Sequence, residues 1–153
     1  MNLMIDTNIF LDVLLKREPF FENSEKTLKL CEEKKIQGFL SASSITDLYY
    51  IIHKFAHNKE TTYKALGNIL DIARVLTVSN EDVLNAYLKK ANDFEDSLLV
   101  TCALANKCEA IVTRNKKDFE EHNKVIEIHD GIWEMKDTTQ PYGFVAPNAK
   151  VWF

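Results

Sequence analysis

Glycine and proline are scarce in this sequence, with four and three residues among 153. So few chain breakers, together with 46% apolar and 27% charged residues, exclude a disordered chain and describe a soluble, helix-rich globule. Cysteine is scarce as well. Cys31, Cys102 and Cys108 are odd in number and match no zinc spacing, so they read as reduced core thiols. The chain start has no basic region leading into an apolar stretch, and Asp6 and Asp12 interrupt the one candidate. Neither a secretory signal nor a membrane span is expected, which implies a cytoplasmic protein. Positive charge is not in excess either: the formal net charge is −4, and no global basic field advertises nucleic acid. That absence excludes little, because an acidic metal site can hold the surplus negative charge while basic residues around it meet phosphate. With 153 residues, one compact domain with a sizeable core is expected.

The most informative stretch is Leu3-Met4-Ile5-Asp6-Thr7-Asn8. An apolar run ends abruptly in a carboxylate and two cap-forming side chains, and the apolar pattern then resumes at Ile9, Phe10 and Leu11. A buried strand stopping at Asp6 and a helix over residues 7–16 follow. Asp6 would then lie at the carboxyl end of a strand, where open α/β sheets bind their ligands, and beside a helix N-terminus. A carboxylate placed there loses solvation and calls for a partner, of which a cation is the obvious one. Asn8 either orients that carboxylate or its metal water, or simply caps the helix; Asp12, four residues on, is expected to be solvated.

A helix over residues 21–35, a stop at Gly38 and a strand over residues 39–42 make half of a parallel α/β unit. Ser44 and Asp47 have capping-box spacing at the start of the next helix. Alternatively Asp47, just past a strand's carboxyl end, projects toward the same edge as Asp6, and that function is favoured. The helix runs on through Tyr49, Tyr50, Ile51 and Ile52 toward Phe55, too apolar for a solvated surface. His53 and His57 have metal-ligand spacing, but no third ligand accompanies them. A helix over residues 61–75 should bury Ala65, Leu66, Ile69, Leu70 and Ile72, and a buried strand over residues 75–78 follows. The helix capped at Ser79 should bury Val83, Ala86 and Tyr87.

Asn92-Asp93-Phe94-Glu95-Asp96-Ser97 is the second acidic stretch, opening a helix rich in small residues. Asp93 has N-cap character, Asp96 is the candidate ligand, and Glu95 should point to solvent. The strand over residues 110–113 then delivers Thr113, Arg114, Asn115, Lys116, Lys117 and Asp118 to the same sheet edge. A hydroxyl, an amide and a carboxylate beside three cations suit a metal-bound phosphate, although polar turns of this kind are common in α/β proteins. A last strand is expected over residues 125–128.

Four motifs in this order, Met4-Ile5-Asp6-Thr7-Asn8, Ser41 through Asp47, Asp93 through Leu98 and Ile111 through Phe119, resemble the PIN domain, and within it the branch of VapC-like toxins of bacterial toxin-antitoxin pairs. The resemblance covers about residues 1–128 and implies an α/β, three-layer PIN-like fold: a parallel β-sheet of four to five strands flanked by helices. It also implies an acidic pocket binding Mg2+ or Mn2+, endoribonuclease activity on RNA, and a cognate antitoxin partner. Carried over by position, Asp6, Asp47 and Asp96 fall on the family's metal-site acids, Asn8 on its supporting polar residue and Thr113 on its hydroxyl residue. There are two departures. The fourth acid common in the family is replaced by Asn115, for which Asp118 is the candidate substitute. The expected ending is replaced by residues 129–153, rich in aromatics (Trp133, Tyr142, Phe144, Trp152, Phe153), a tail that packs on the domain, binds a partner or is foreign to it.

On this resemblance, Asp6, Asp47 and Asp96 hold one or two Mg2+ ions, which relieve their mutual repulsion and acidify a water that attacks the phosphodiester. Asp47 or Asp118 positions that water. Lys16, Arg17, Arg114, Lys116 and Lys117 are candidate backbone contacts, with no base-reading device in view. The apolar helix around Tyr49 and Phe55 is a candidate homodimer surface. Two rivals are a phosphatase with an aspartyl nucleophile, which needs a second acid where this chain has Asn8, and a non-catalytic PIN-like domain that binds RNA or a partner.

Overall fold

The computed structural model describes residues 1–117 and 119 and the backbone of residues 127–130. The chain alternates strands and helices: β1 (Asn2–Ile5), α1 (Thr7–Leu14), α2 (Phe21–Glu32), β2 (Gln37–Ser41), α3 (Ala42–Ala56), α4 (Lys59–Ile72), β3 (Ala73–Leu76), α5 (Asn80–Lys89), α6 (Phe94–Ala105), β4 (Ala110–Thr113) and β5 (Glu127–Asp130). The strands form one sheet in the order β3-β2-β1-β4-β5, and every pairing in it is parallel. This is the expected three-layer α/β architecture.

The layers follow from the period-two alternation of the central strands. Leu3 and Ile5 of β1, with Ala110 and Val112 of β4, join the core built by α1 through α4. Met4 and Ile111 point the other way, into a smaller core with Leu99, Val100, Cys102 and Ala103 of α6. Both faces are covered, so the central strands carry no solvent-facing residue after Asn2. All three cysteines are buried and unpaired; burial pushes the Cys31 thiol up to about 12, which matches inert core thiols.

Several local expectations need correction. α3 begins at Ala42, because Ser41 rather than Ser44 supplies the cap and accepts the Ser44 N–H. The strand expected to be buried is β3, and it lies at the sheet edge with Arg74 and Val75 exposed. Leu70 of α4 is 52% exposed. Among the described residues α5 packs chiefly on α6, so a single stripe of Asp82 and Ala86 is buried and Tyr87 is 63% exposed; Val83 is likewise exposed. Tyr50 and Phe55 of α3 also face outward, while Leu48 and Ile52 fill the core. His53 bonds the Thr62 hydroxyl at 3.1 Å and His57 is the left-handed C-cap of α3, so the pair is structural. Asp118 and residues 131–153 lie outside the described residues. Among the described residues no helix is long and apolar enough to cross a membrane.

Gly38 is a strand residue rather than a helix stop, and its missing side chain sets how closely α2 approaches β2. A Cβ there would lie 2.7 Å from Cys31 Sγ. Gly38→Ala is expected to cost about 1–3 kcal/mol in urea unfolding, and Cys31→Ala in the same chain to recover part of that loss by vacating the space.

Candidate active site

In this strand order the chain leaves β1 toward β2 and β3, then returns on the other side of β1 as β4 and β5. The carboxyl ends of β1 and β4 therefore flank the switch point of the sheet, the usual ligand position in such folds. Asp6 follows β1 directly and caps α1. Its backbone N–H donates to the Val112 carbonyl at 2.9 Å, which seats it against β4. Its carboxylate accepts the Thr113 hydroxyl on Oδ2 at 2.7 Å and, over longer distances of 3.4 Å, the Asn8 backbone N–H on Oδ1 and the Asn8 side-chain amide on Oδ2. Thr113 in turn accepts the Asn115 N–H at 3.0 Å, which leaves its own proton for Asp6. Asp6 is only 8% exposed. Burial raises its pKa above the ordinary carboxylate value, against the opposing pull of Thr113, Asn8 and Arg114.

The other acids arrive on two further helices. Asp47 sits in the second turn of α3, beyond reach of a capping role. At the start of α6, Asp93 accepts the Asp96 N–H at 3.1 Å and so acts as the expected cap. A cleft of about 360 Å³ is lined by Asp6, Asn8, Asp47, Asp93, Glu95, Asp96 and Asn115, with Thr7, Leu11, Ile51 and Phe119. Five of these carry carboxylates and none is basic. Glu95 reaches solvent as expected, but it does so across the cleft. Its pKa is raised first by desolvation and then by the negative charge of Asp47, Asp93 and Asp6.

All-oxygen donors under mutual repulsion suit a hard divalent cation such as Mg2+ or Mn2+. The carboxylates share a cleft without closing around a point: among the described residues no three His, Cys, Asp or Glu side chains form a ready metal cage. Asp6, Asp47 and Asp96, with Glu95 beside them, are the residues able to draw in around an ion.

Of the residues singled out in the sequence, Asp6, Asn8, Asp47, Asp96 and Asn115 line the cleft, Thr113 lies beneath it on Asp6, and Lys116 and Lys117 are exposed just past β4. Arg114 turns inward instead. Its Nη1 donates to Asp12 Oδ1 at 2.9 Å and its Nη2 to Asn8 Oδ1 at 3.3 Å, and its guanidinium carbon stands 4.6 Å from the Phe20 ring centroid. Asp12, expected in solvent, is fully buried. It takes a second bond from Ser24 at 3.2 Å and faces Arg17 at 3.9 Å. The signal missed was α1 itself: with apolar residues at 9–11 and 13–14, it has no solvent side on which to place an acid.

These features define the class: an α/β/α domain with an acid-lined cleft at the switch point of a parallel sheet. A family model described as PIN domain matches residues 2–117, and the chain belongs to that family, whose members are generally nucleases that use divalent metal ions. Among solved structures it is similar to VapBC2 from Rickettsia felis bound to a DNA fragment from their promoter, with a TM-score of 0.63 and 20% identity over 84% of this chain and 98% of that one. It is also similar to a toxin-antitoxin complex from Klebsiella pneumoniae, with a TM-score of 0.58 and 18% identity over 77% of this chain and 90% of that one. At these identities the likeness is one of fold. No curated protein matches the sequence.

The buried acids at the cap of α1 and within it should respond differently to substitution. The raised pKa of Asp6 means that its ionised form is disfavoured by folding. It costs nothing below the unfolded value near 3.8, and the cost appears as pH rises through the higher folded value. Asp6→Asn removes this charge but offers one oxygen to both the Asn8 N–H and the Thr113 hydroxyl, so one of the two bonds is lost; relative to the parent, its urea midpoint without metal is expected to improve as pH rises from 4 to 7. Asp12→Ala strands the Arg114 guanidinium and should lose about 3 kcal/mol in the same assay.

Proposed function

We propose that this chain is a Mg2+- or Mn2+-dependent endoribonuclease that cleaves RNA phosphodiesters, and that it is the toxin of a type II toxin-antitoxin pair. The observation that carries the proposal is the cleft itself, which five carboxylates from α3, α6 and the cap of α1 line together with no basic residue among the described ones. Membership of a family of nucleases supports it. Asp6, Asp47 and Asp96 would hold the metal, whose chemistry when bound is Lewis acidity: an acidified water and positive charge opposite the phosphate.

The remaining work falls to the chain's own side chains. Asp47 has no hydrogen bond or ion pair among the described residues, which leaves its oxygens open to take the proton of the attacking water. Thr113 and Asn8 fix the Asp6 carboxylate so that it does not swing away from the cleft. Lys116 and Lys117, exposed at its edge, meet the substrate phosphates; Asp118 is a proposed further acid. The aspartyl-phosphatase alternative lacks its second acid, since Asn8 holds that position.

The solved complexes resembling this fold include a VapBC pair and a further toxin-antitoxin complex, which supports a cytoplasmic antitoxin-bound state. A basic antitoxin segment would complement the acidic cleft. The exposed Tyr50 and Phe55 of α3 are offered as a homodimer surface, and residues 1–128 as the nuclease domain, followed by the aromatic-rich tail.

A second possibility, a PIN domain that binds RNA without cutting it, is favoured by Asn115 and by the lack of a ready cage among the described residues. Cleavage of a structured RNA in Mn2+ against EDTA separates the two. Cutting should require the ion, and Asp6→Asn or Asp96→Asn should each slow it at least about a hundredfold while the chain still unfolds cooperatively in urea. RNA binding with equal or no cleavage in Mn2+ and EDTA would instead establish the non-catalytic domain.

A further inference from the structure

Arg114 was the natural candidate for a phosphate contact, yet its hydrogen bonds commit it to the interior. Nη1 serves Asp12 and Nη2 serves Asn8, one face lies on Phe20, and Nε is buried without a partner among the described residues. Burial of Asp12 alone explains a counter-charge here. It does not explain the second arm, which reaches past Asp12 to the one amide that touches Asp6.

A guanidinium has only donors, so the end of the Asn8 amide facing it has to be the oxygen. The nitrogen end is thereby turned to Asp6, where Nδ2 donates to Oδ2 at 3.4 Å. Oδ2 then carries two donors, from Asn8 and Thr113, whereas Oδ1 carries only the backbone N–H of Asn8. With the amide reversed, the Asn8 oxygen would face a carboxylate oxygen and repel it.

We propose that Arg114 is a positioning residue of the acidic site: it locks the Asn8 amide in the one orientation that supports Asp6, and so determines which Asp6 lone pairs remain for a divalent cation. The strut runs from Ser24 on α2 through Asp12 on α1 to Arg114 after β4 and back to Asn8 on α1, so its anchor lies outside the cleft. The consequence for the metal rests on the nuclease function proposed above; the amide lock does not.

The test uses the full chain, Mn2+ alone as ligand, and the variants Arg114→Met, Asn8→Ala and Asp12→Leu with Arg114→Met. The last removes the ion pair as a unit and is expected to bring the urea midpoint back above that of Asp12→Ala. The Asn8 side-chain amide, followed by nitrogen-15 NMR, should give a distinct, slowly exchanging pair of signals in the parent and collapse to solvated-amide values in the double variant. Mn2+ affinity by calorimetry should fall about tenfold or more despite the recovered midpoint. Arg114→Met combined with Asn8→Ala should lower Mn2+ affinity no further than Asn8→Ala alone, because one acts through the other. Unchanged Asn8 signals in the double variant, or parental Mn2+ affinity returning with the midpoint, would reduce Arg114 to a counter-ion for Asp12 and overturn the proposal. If the parent binds no Mn2+, the nuclease function fails, and the amide signals alone decide the role of Arg114.

Discussion

A single hydroxyl proton joins the two halves of this site. Thr113 and Asp6 are 107 residues apart in sequence and 2.7 Å apart in space, and the bond spans the carboxyl ends of β4 and β1. The Asn115 N–H occupies the Thr113 oxygen, so the hydroxyl can satisfy its own proton only on Asp6. Asp6 caps α1 and Asp12 lies within it, and both are lifted in pKa by burial. Asp12 has a guanidinium at bonding distance. For Asp6 the same guanidinium is the weakest of the influences that favour its charge. One buried acid thus has its counter-charge within the fold, and the other has none at bonding distance among the described residues.

The parallel sheet explains why acids from residues 6 to 96 can meet at all. Parallel strands release their chains at one edge, and α1 and α3 both start there, capped by Asp6 and Ser41. α6, capped by Asp93, enters the same cleft from the opposite layer. Helix N-termini carry partial positive charge, each worth about 0.3–1 kcal/mol to a nearby anion. Like charges sharing a cleft repel over longer distances than one helix turn, as the upward push of Asp47, Asp93 and Asp6 on the pKa of Glu95 shows. The helix ends therefore moderate the crowding of negative charge but do not cancel it, and a doubly charged ion is the stronger remedy.

Much of this was legible in the chain. An apolar run that stops on Asp6 and is followed by cap formers can only be a strand meeting a helix, and the structure has that junction. Asp47 was ambiguous because Ser44 offered a capping box. The ambiguity disappears once Ser41, still on the strand, takes the cap, since Asp47 then lies a turn too far to serve backbone N–H groups. What periodicity could not give was the number of neighbours each element has. The sequence of β3 and α5 does not show that, among the described residues, β3 has one strand partner and α5 packs chiefly on one helix, so Val75, Val83 and Tyr87 end outside. Arg114 was misplaced for a related reason: a cation beside an acidic motif reads as a ligand contact until a buried acid elsewhere, here Asp12, is known to need it.

Asn115 marks where this chain departs from the pattern it otherwise follows. Its contribution to Thr113 is made by the backbone N–H, so the anchoring of Asp6 is indifferent to which side chain position 115 carries. Replacing an acid by an amide there changes the charge of the cleft without loosening Asp6. Glu95 places a further carboxylate in the same cleft from α6, within the electrostatic reach of Asp6, Asp47 and Asp93. Among the described residues the negative potential of the cleft is therefore sustained from the helix layer rather than from the end of β4. Among the described residues, the side of the cleft formed by Asn115 carries no acid and adjoins the exposed Lys116 and Lys117, which under the proposed function is the side where an anionic backbone meets least repulsion.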